Sequence, residues 1–329
     1  MKNYGHKGGS MRTLPSRWLA IAVAVTVSST VGCARLQQLQ AARAVKAANQ
    51  AYQQQDYKKA AGLYEEAVKA NPELNQILFY VGNSYDQQYK PSRKGEPEND
   101  GFLQKAIEHY QLAADKLAQS ASADDKKLAK LSLEYLVAAY GVDKMNDPAK
   151  AEPVVQKMIQ LEPAEPTNYF ALAKIYEDAG VYAEAEQMLQ YAKQAKPSDP
   201  AVYMQLAGYY NRQNEFDKTI GALQDRTKVE PNNPEAFYQI STYYWDNAQR
   251  NFRLTDAEKR IQVSSGLEAV EKALALNGEY MEALVYKGLL LRLQANMEKD
   301  PGKQAALLKE AVSLKDRAED IKKKRSAGA

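Results

Sequence analysis

Apolar side chains recur along this chain at three- and four-residue steps, and the steps themselves repeat. In residues 166–199, Tyr169, Leu172, Ala173 and Tyr176 fall on one face of a helix, because three and four residues each make about one turn. Ala185, Leu189 and Ala192 follow the same rule on a second helix. Residues 200–233 carry Tyr203, Leu206, Ala207 and Tyr210 in the same register, and Pro163, Pro197 and Pro231 recur every 34 residues. Gly180 sits where the first helix should stop. Asp199-Pro200 and Asn233-Pro234 supply an N-cap followed by proline at the first helical position. Each segment therefore predicts helix, tight turn, helix, tight turn, with a buried face that only the next segment completes.

The pattern extends less regularly to both sides. Residues 37–69 form a first unit, in which Ala47, Ala48 and Ala51 face Ala60, Tyr64 and Ala67. Leu78, Val81, Gly82 and Tyr85 open a second, whose second helix, with Ala106, Tyr110 and Ala113, arrives late. The intervening DQQYKPSRKGEPENDGF, in the stretch 86–103, is rich in Pro, Gly and charge and reads as a loop. Leu133, Leu136, Val137 and Tyr140, then Ala151, Val155 and Met158, make a third unit. After the two regular units, a sixth carries Phe237, Ile240, Ser241 and Tyr244, an insertion at 245–261, and Gly266, Val270 and Ala273. Thr255-Asp256-Ala257-Glu258 is a capping-box pattern and predicts a helix restart at Asp256. Leu284, Gly288 and Leu291 with Leu308 and Ala311 make a degraded seventh unit. Residues 314–329, polar on most faces, suit a terminal capping helix.

This period resembles the tetratricopeptide repeat (TPR), in which a bulky residue, a Leu, a small residue and a Tyr on one helix meet Ala and a large apolar residue on the next. The resemblance covers roughly residues 41–313. It implies an all-α, right-handed α-solenoid of about six to seven helix-turn-helix units with a C-terminal capping helix, and protein binding as the class of function. In such arrays the first helices line a concave groove, and their fifth residue tends to point into it. Here that position holds Val45, Phe79, Phe170, Met204, Tyr238 and Val285, interrupted by Glu134, with Asn83, Lys174, Glu177 and Asn211 at flanking positions. The resemblance thus implies a partner-binding groove built on Phe79, Asn83, Phe170, Lys174, Met204, Asn211 and Tyr238. The same spacing also fits side chains that simply pack between adjacent first helices. A carboxylate-clamp groove needs Lys, Asn or Arg on this face in successive units, and Asn49 and Asn83 are too few.

The N-terminus has a different grammar. Residues 1–17 are basic, Trp18 to Val27 form an apolar run, and small and polar residues lead into Cys33, the chain's single cysteine. That is the layout of a secretory signal. The run is too short to span a bilayer, which takes about 20 residues. Thr30-Val31-Gly32-Cys33 resembles the bacterial lipoprotein box, with Thr30 where a Leu is usual. The resemblance implies a signal at 1–32, lipidation of Cys33, a tether at 33–40 and, with the non-acidic Ala34 following, an outer-membrane destination. An ordinary signal cleaved after Ala34 is the alternative reading, and Met11 is an alternative start.

The net charge of +3 changes little, because the leader holds Lys2, Lys7, Arg12 and Arg17 and no acid; without it 40 basic residues face 41 acidic ones. No nucleic-acid partner follows from such a balance. Only His6 and His109 are available as histidines, so no metal cluster or nucleophile-base-orienter set can be assembled, and no glycine-rich loop joins a strand to a helix. The expectation is a non-enzymatic interaction scaffold without cofactor or small-molecule substrate. Its partners would be other envelope proteins, in barrel assembly, pilus or secretion assembly, or polysaccharide export, with the membrane held through the lipid. Two further readings stand beside it: a glycan or peptidoglycan module using Tyr209, Tyr243 and Trp245 near the sixth-unit insertion, and a soluble periplasmic or cytosolic co-chaperone.

Overall fold

The computed structural model describes residues 17–327, with side chains from residue 35 onward. Residues 1–16 lie outside the described residues, as do the side chains of the rest of the leader and of Cys33. Among the described residues the fold is all-α, with fourteen α-helices, one short 3₁₀ turn and no strand. None of these helices is long and apolar enough to cross a membrane. The chain divides into two compact units that meet within helix α6, one ending at Val154 and one starting at Val155. Each is a stack of helical hairpins, and the fold class is an α-solenoid of the repeat type.

The first unit comprises α1 (Arg17–Gln53), α2 (Tyr57–Ala70), α3 (Asn75–Asp86), α4 (Pro97–Ala118), α5 (Ala123–Tyr140) and the start of α6 (Pro148–Leu161). Each of α2 to α5 packs on its predecessor. Helix α1 runs through the stretch expected as a tether, residues 33–40; its first buried described side chain is Ala41. The small residue at position eight does what its size permits: a Cβ on Gly82 would lie 2.9 Å from the Tyr110 ring and 3.1 Å from the Ala106 carbonyl. The expected loop at 86–103 is shorter than its composition suggests. Pro97 at the first helical position and Glu98 and Asp100 in the first turn let α4 begin early. The buried Asn99 side chain then ties down what remains, accepting from the Lys90 amide at 2.8 Å and donating to the Lys90 and Arg93 carbonyls.

The second unit continues with α7 (Pro166–Asp178), α8 (Tyr182–Ala195), α9 (Pro200–Arg212), α10 (Phe216–Val229), α11 (Pro234–Arg250), α12 (Asp256–Leu276), α13 (Met281–Asn296) and α14 (Pro301–Ala327). Glu165, Asp199 and Asn233 cap α7, α9 and α11 by accepting from the amide two residues on, each with proline at the first helical position. Tyr169 and Tyr203 each donate their hydroxyl to the proline carbonyl six residues earlier, Pro163 and Pro197. The hairpin turn needs a left-handed residue: Gly180 has φ +76°, and Asn146 and Asn214, 34 residues either side, have φ 57° and 59°. The Thr255–Glu258 capping box forms and starts α12 at Asp256. Before it, α11 extends to Arg250, leaving a short loop with Phe252 92% exposed.

The capping helix expected at 314–329 is present as the C-terminal part of α14 rather than as a separate element. It continues the second helix of the seventh hairpin without a break, because no Gly or Pro interrupts residues 303–325. Ala311 and Ala318 are buried, and Arg317 and Arg325 donate to the Gly278 and Glu279 carbonyls, which pins the extension to the turn between α12 and α13.

Candidate interaction site

The seven residues expected to line a partner groove separate into four kinds. Phe79 and Asn83 are buried, 6% and 3% exposed, and cannot meet a partner. The Phe79 ring lies against Tyr80, Tyr110 and Tyr135, the last on the following first helix, α5. Asn83 accepts from the Tyr52 hydroxyl at 2.5 Å and donates to that of Tyr110 at 3.3 Å. Tyr110 in turn reaches Asp86, which is ion-paired with Lys144. Burial and the nearby Asp86 charge push the Tyr110 phenol well above the usual tyrosine range. This network fastens α1, α3, α4 and the turn after α5, so the position is internal.

Phe170 and Met204 are half-buried against the core of the second unit. The Met204 sulfur contacts the guanidinium of Arg226, a nearly buried arginine that also binds Glu230 and Gln239. Lys174 and Asn211 are exposed. Lys174 pairs with Asp178 one turn on. Asn211 lines a polar cleft of about 550 Å³ with Asn214, Tyr243, Asn247 and Arg250 among its walls. Glu177, the next flanking residue, is bound in two-pronged fashion by Arg212, at 2.7 and 2.9 Å.

Tyr238 alone of the seven borders an apolar groove. Its ring packs edge-on against Tyr280 and Tyr286 of α13, and burial pushes its phenol up to about 12. From there a cavity of about 560 Å³ opens between α13 and α14, lined by Met281, Val285 and Leu289 on one side and Ala311 and Ala318 on the other. Arg292, Lys315 and Lys322 stand on its walls with Glu282 and Glu319. The pairing of Lys315 with Glu319 at 3.4 Å uses up one charge of each sign. The α14 wall was not foreseen, although Ala311, Lys315, Ala318 and Lys322 recur at the spacing of a single helical face.

Of the aromatics considered for glycan stacking, Tyr209 is 2% exposed and donates to the Tyr182 carbonyl, so it offers no platform. Trp245 packs edge-on against Tyr286, while Tyr243 borders the polar cleft. Among the described residues no group of three or more His, Cys, Asp or Glu could hold a metal ion.

Family models described as the tetratricopeptide repeat match residues 45–122 and 144–207. The chain contains tetratricopeptide repeats. A solved structure of similar fold is the C-terminal part of a TPR repeat-containing protein from Cytophaga hutchinsonii, 15% identical, covering 84% of this chain and 98% of that one, with a TM-score of 0.53. A tetratricopeptide repeat protein from Parabacteroides merdae is 13% identical over 83% of this chain and 99% of that one, TM-score 0.45. YrrB, described as a TPR protein with an unusual peptide-binding site, is 16% identical over 62% of this chain and all of that one, TM-score 0.38. No curated protein matches the sequence. TPR arrays are in general scaffolds for protein–protein interaction, and that is the coarse function the repeats give this chain.

Proposed function

We propose that this TPR protein is a scaffold of the bacterial cell envelope, exported and tethered through a lipidated Cys33 to the outer membrane on its periplasmic face. There it holds a segment of another envelope protein during assembly of an envelope complex. The observation that carries the binding half is the apolar groove between α13 and α14, bordered by Tyr238, Val285 and Leu289. Apolar anchors in a concave site supply affinity, and the charged rim fixes register. The export half rests on the basic, apolar and small-residue succession before the single cysteine. A tether would raise the effective concentration of membrane partners.

Two measurements in intact cells test this. Photoreactive residues at Val285 and, as a control, at Lys174 should give one dominant envelope protein from the first site alone; absence of adducts at Val285 removes the groove from the proposal. Fractionation of wild type and Cys33→Ser should move the protein from membrane to soluble fraction, and unchanged partition overturns the tether.

The polar cleft around Tyr243 favours a second reading, a glycan-binding module, since amide and guanidinium groups beside an aromatic ring suit sugar hydroxyls. Retention on a peptidoglycan column that survives Tyr243→Ala would exclude it.

A further inference from the structure

The groove at the end of the second unit is shaped like a missing helix. At two steps the fifth residue of a first helix is covered by the sixth residue, in repeat register, of the next first helix, and at a third by an arginine of the second helix between them. Phe79 lies under Tyr135, with ring centroids 5.5 Å apart, and Tyr238 under Tyr286 at 5.3 Å. Met204 is covered by Arg226, which is itself hydrogen-bonded to Gln239, the sixth residue of α11. Val285 is the next fifth residue in this series, and among the described residues no further first helix lies over it. It is 42% exposed and faces the cavity of about 560 Å³. Helix α14 forms the far wall because its extension is pinned by Arg317 and Arg325 to the Gly278 and Glu279 carbonyls. Ala311 and Ala318, buried where α14 packs on α13, form the floor of the groove between the two helices.

We infer that this groove receives an acidic amphipathic helix of a partner protein, packed as one more first helix of the array. The inference rests on the scaffold reading and names its partner class. A helix fits because the groove lies between two helices whose own spacing sets a third, and because the next first helix covers the equivalent position at two of the three steps above. The charge follows from the walls: Lys315 and Glu319 pair with each other, which leaves Arg292 and Lys322 against the single acid Glu282. The incoming helix presents an apolar stripe, an aromatic side chain over Val285 in the manner of Tyr135 over Phe79, and acidic flanks toward Arg292 and Lys322.

Fluorescence anisotropy with the purified full chain tests this, using three labelled peptides of 16 residues, the length of α13. One carries a Leu/Ala stripe with a central Tyr and Glu flanks, the second replaces each Glu by Lys, and the third is the acidic peptide with a central proline. The acidic helix should bind about tenfold more tightly than either relative, and Val285→Arg should remove that binding with circular dichroism unchanged. Lys315→Glu with Lys322→Glu should invert the preference toward the Lys peptide. Equal binding of the acidic and basic peptides, or undiminished binding of the proline peptide, overturns the inference. So does a dimer in sedimentation that Val285→Arg abolishes, which would give the groove to a second copy of this chain. A retained Val285 crosslink in cells with no preference for the acidic helix sinks this inference alone; loss of that crosslink sinks the scaffold reading beneath it.

Discussion

Gly180 and Asn214 show how one backbone demand is met by two side chains. Both end a first helix in the left-handed region, and in both turns the following amide closes back on the helix, Val181 to Tyr176 and Glu215 to Tyr210. A side chain with a Cβ is strained there, so Gly180→Ala should cost about 1 kcal/mol, whereas Asn214→Gly should be neutral or slightly stabilising. Urea unfolding midpoints of the two variants read the difference. Asn83 makes the contrasting point. Replacing it by Leu strands the Tyr52 hydroxyl, leaves Tyr110 only Asp86, and should cost about 1–3 kcal/mol while leaving partner capture at Val285 intact. The sequence alone placed Phe79 and Asn83 on a binding face because their helical phase is that of Phe170 and Lys174. Phase reports which residues share a face; it does not report what the next helix lays over that face, and here Tyr135 covers it.

At the scale of the element, caps and prolines were legible because they act locally. The Asp199 and Asn233 caps and the Thr255–Glu258 box each depend on residues within three positions, and all three form. Element length was less legible where composition and helix propensity disagree. The Pro, Gly and charge of residues 86–103 read as loop, but proline, acid and acid at the start of α4 are favourable first-turn chemistry. The fused α14 escaped notice for the opposite reason, since nothing in residues 303–325 announces where a repeat ends and an extension begins. Its packing depends on close approach: a Cβ on Gly288 would lie 3.2 Å from the Ala311 carbonyl. Gly288→Val should therefore destabilise by about 1–3 kcal/mol through overpacking, seen as a lower thermal midpoint.

For the whole molecule, tyrosine is the dominant aromatic, 22 residues against 6 phenylalanines, and several of its phenols are buried at helix contacts. Burial pushes Tyr64, Tyr210 and Tyr238 up to about 12 from a normal value of 10.0. These groups hold their protons more tightly folded than unfolded. Their contribution is therefore complete below pH 10 and lost as the pH rises from 10 toward 12. Thermal midpoints followed from pH 8 upward should fall in that window, and less steeply for Tyr64→Phe, which removes one of the titrating groups but keeps its ring. Acid titration should not reproduce the effect, since tyrosine stays protonated in both states there.

The loop after α11 leaves Phe252 almost wholly in solvent between Arg250 and Arg253, while the loop before α4 is laced down by Asn99. Proteases need exposed backbone that can be drawn out, and the loop after α11 is held only by short-range bonds such as those of the Arg253 and Leu254 amides to Asn251. Brief digestion with chymotrypsin or trypsin should nick the native chain near residue 252 and spare residues 87–96, so that a denaturing gel shows two discrete fragments. The nicked halves should stay together on a sizing column, because α12 still lies packed on α11. The array would then tolerate inserted sequence at that point, a tag or a fluorophore included, without loss of its fold.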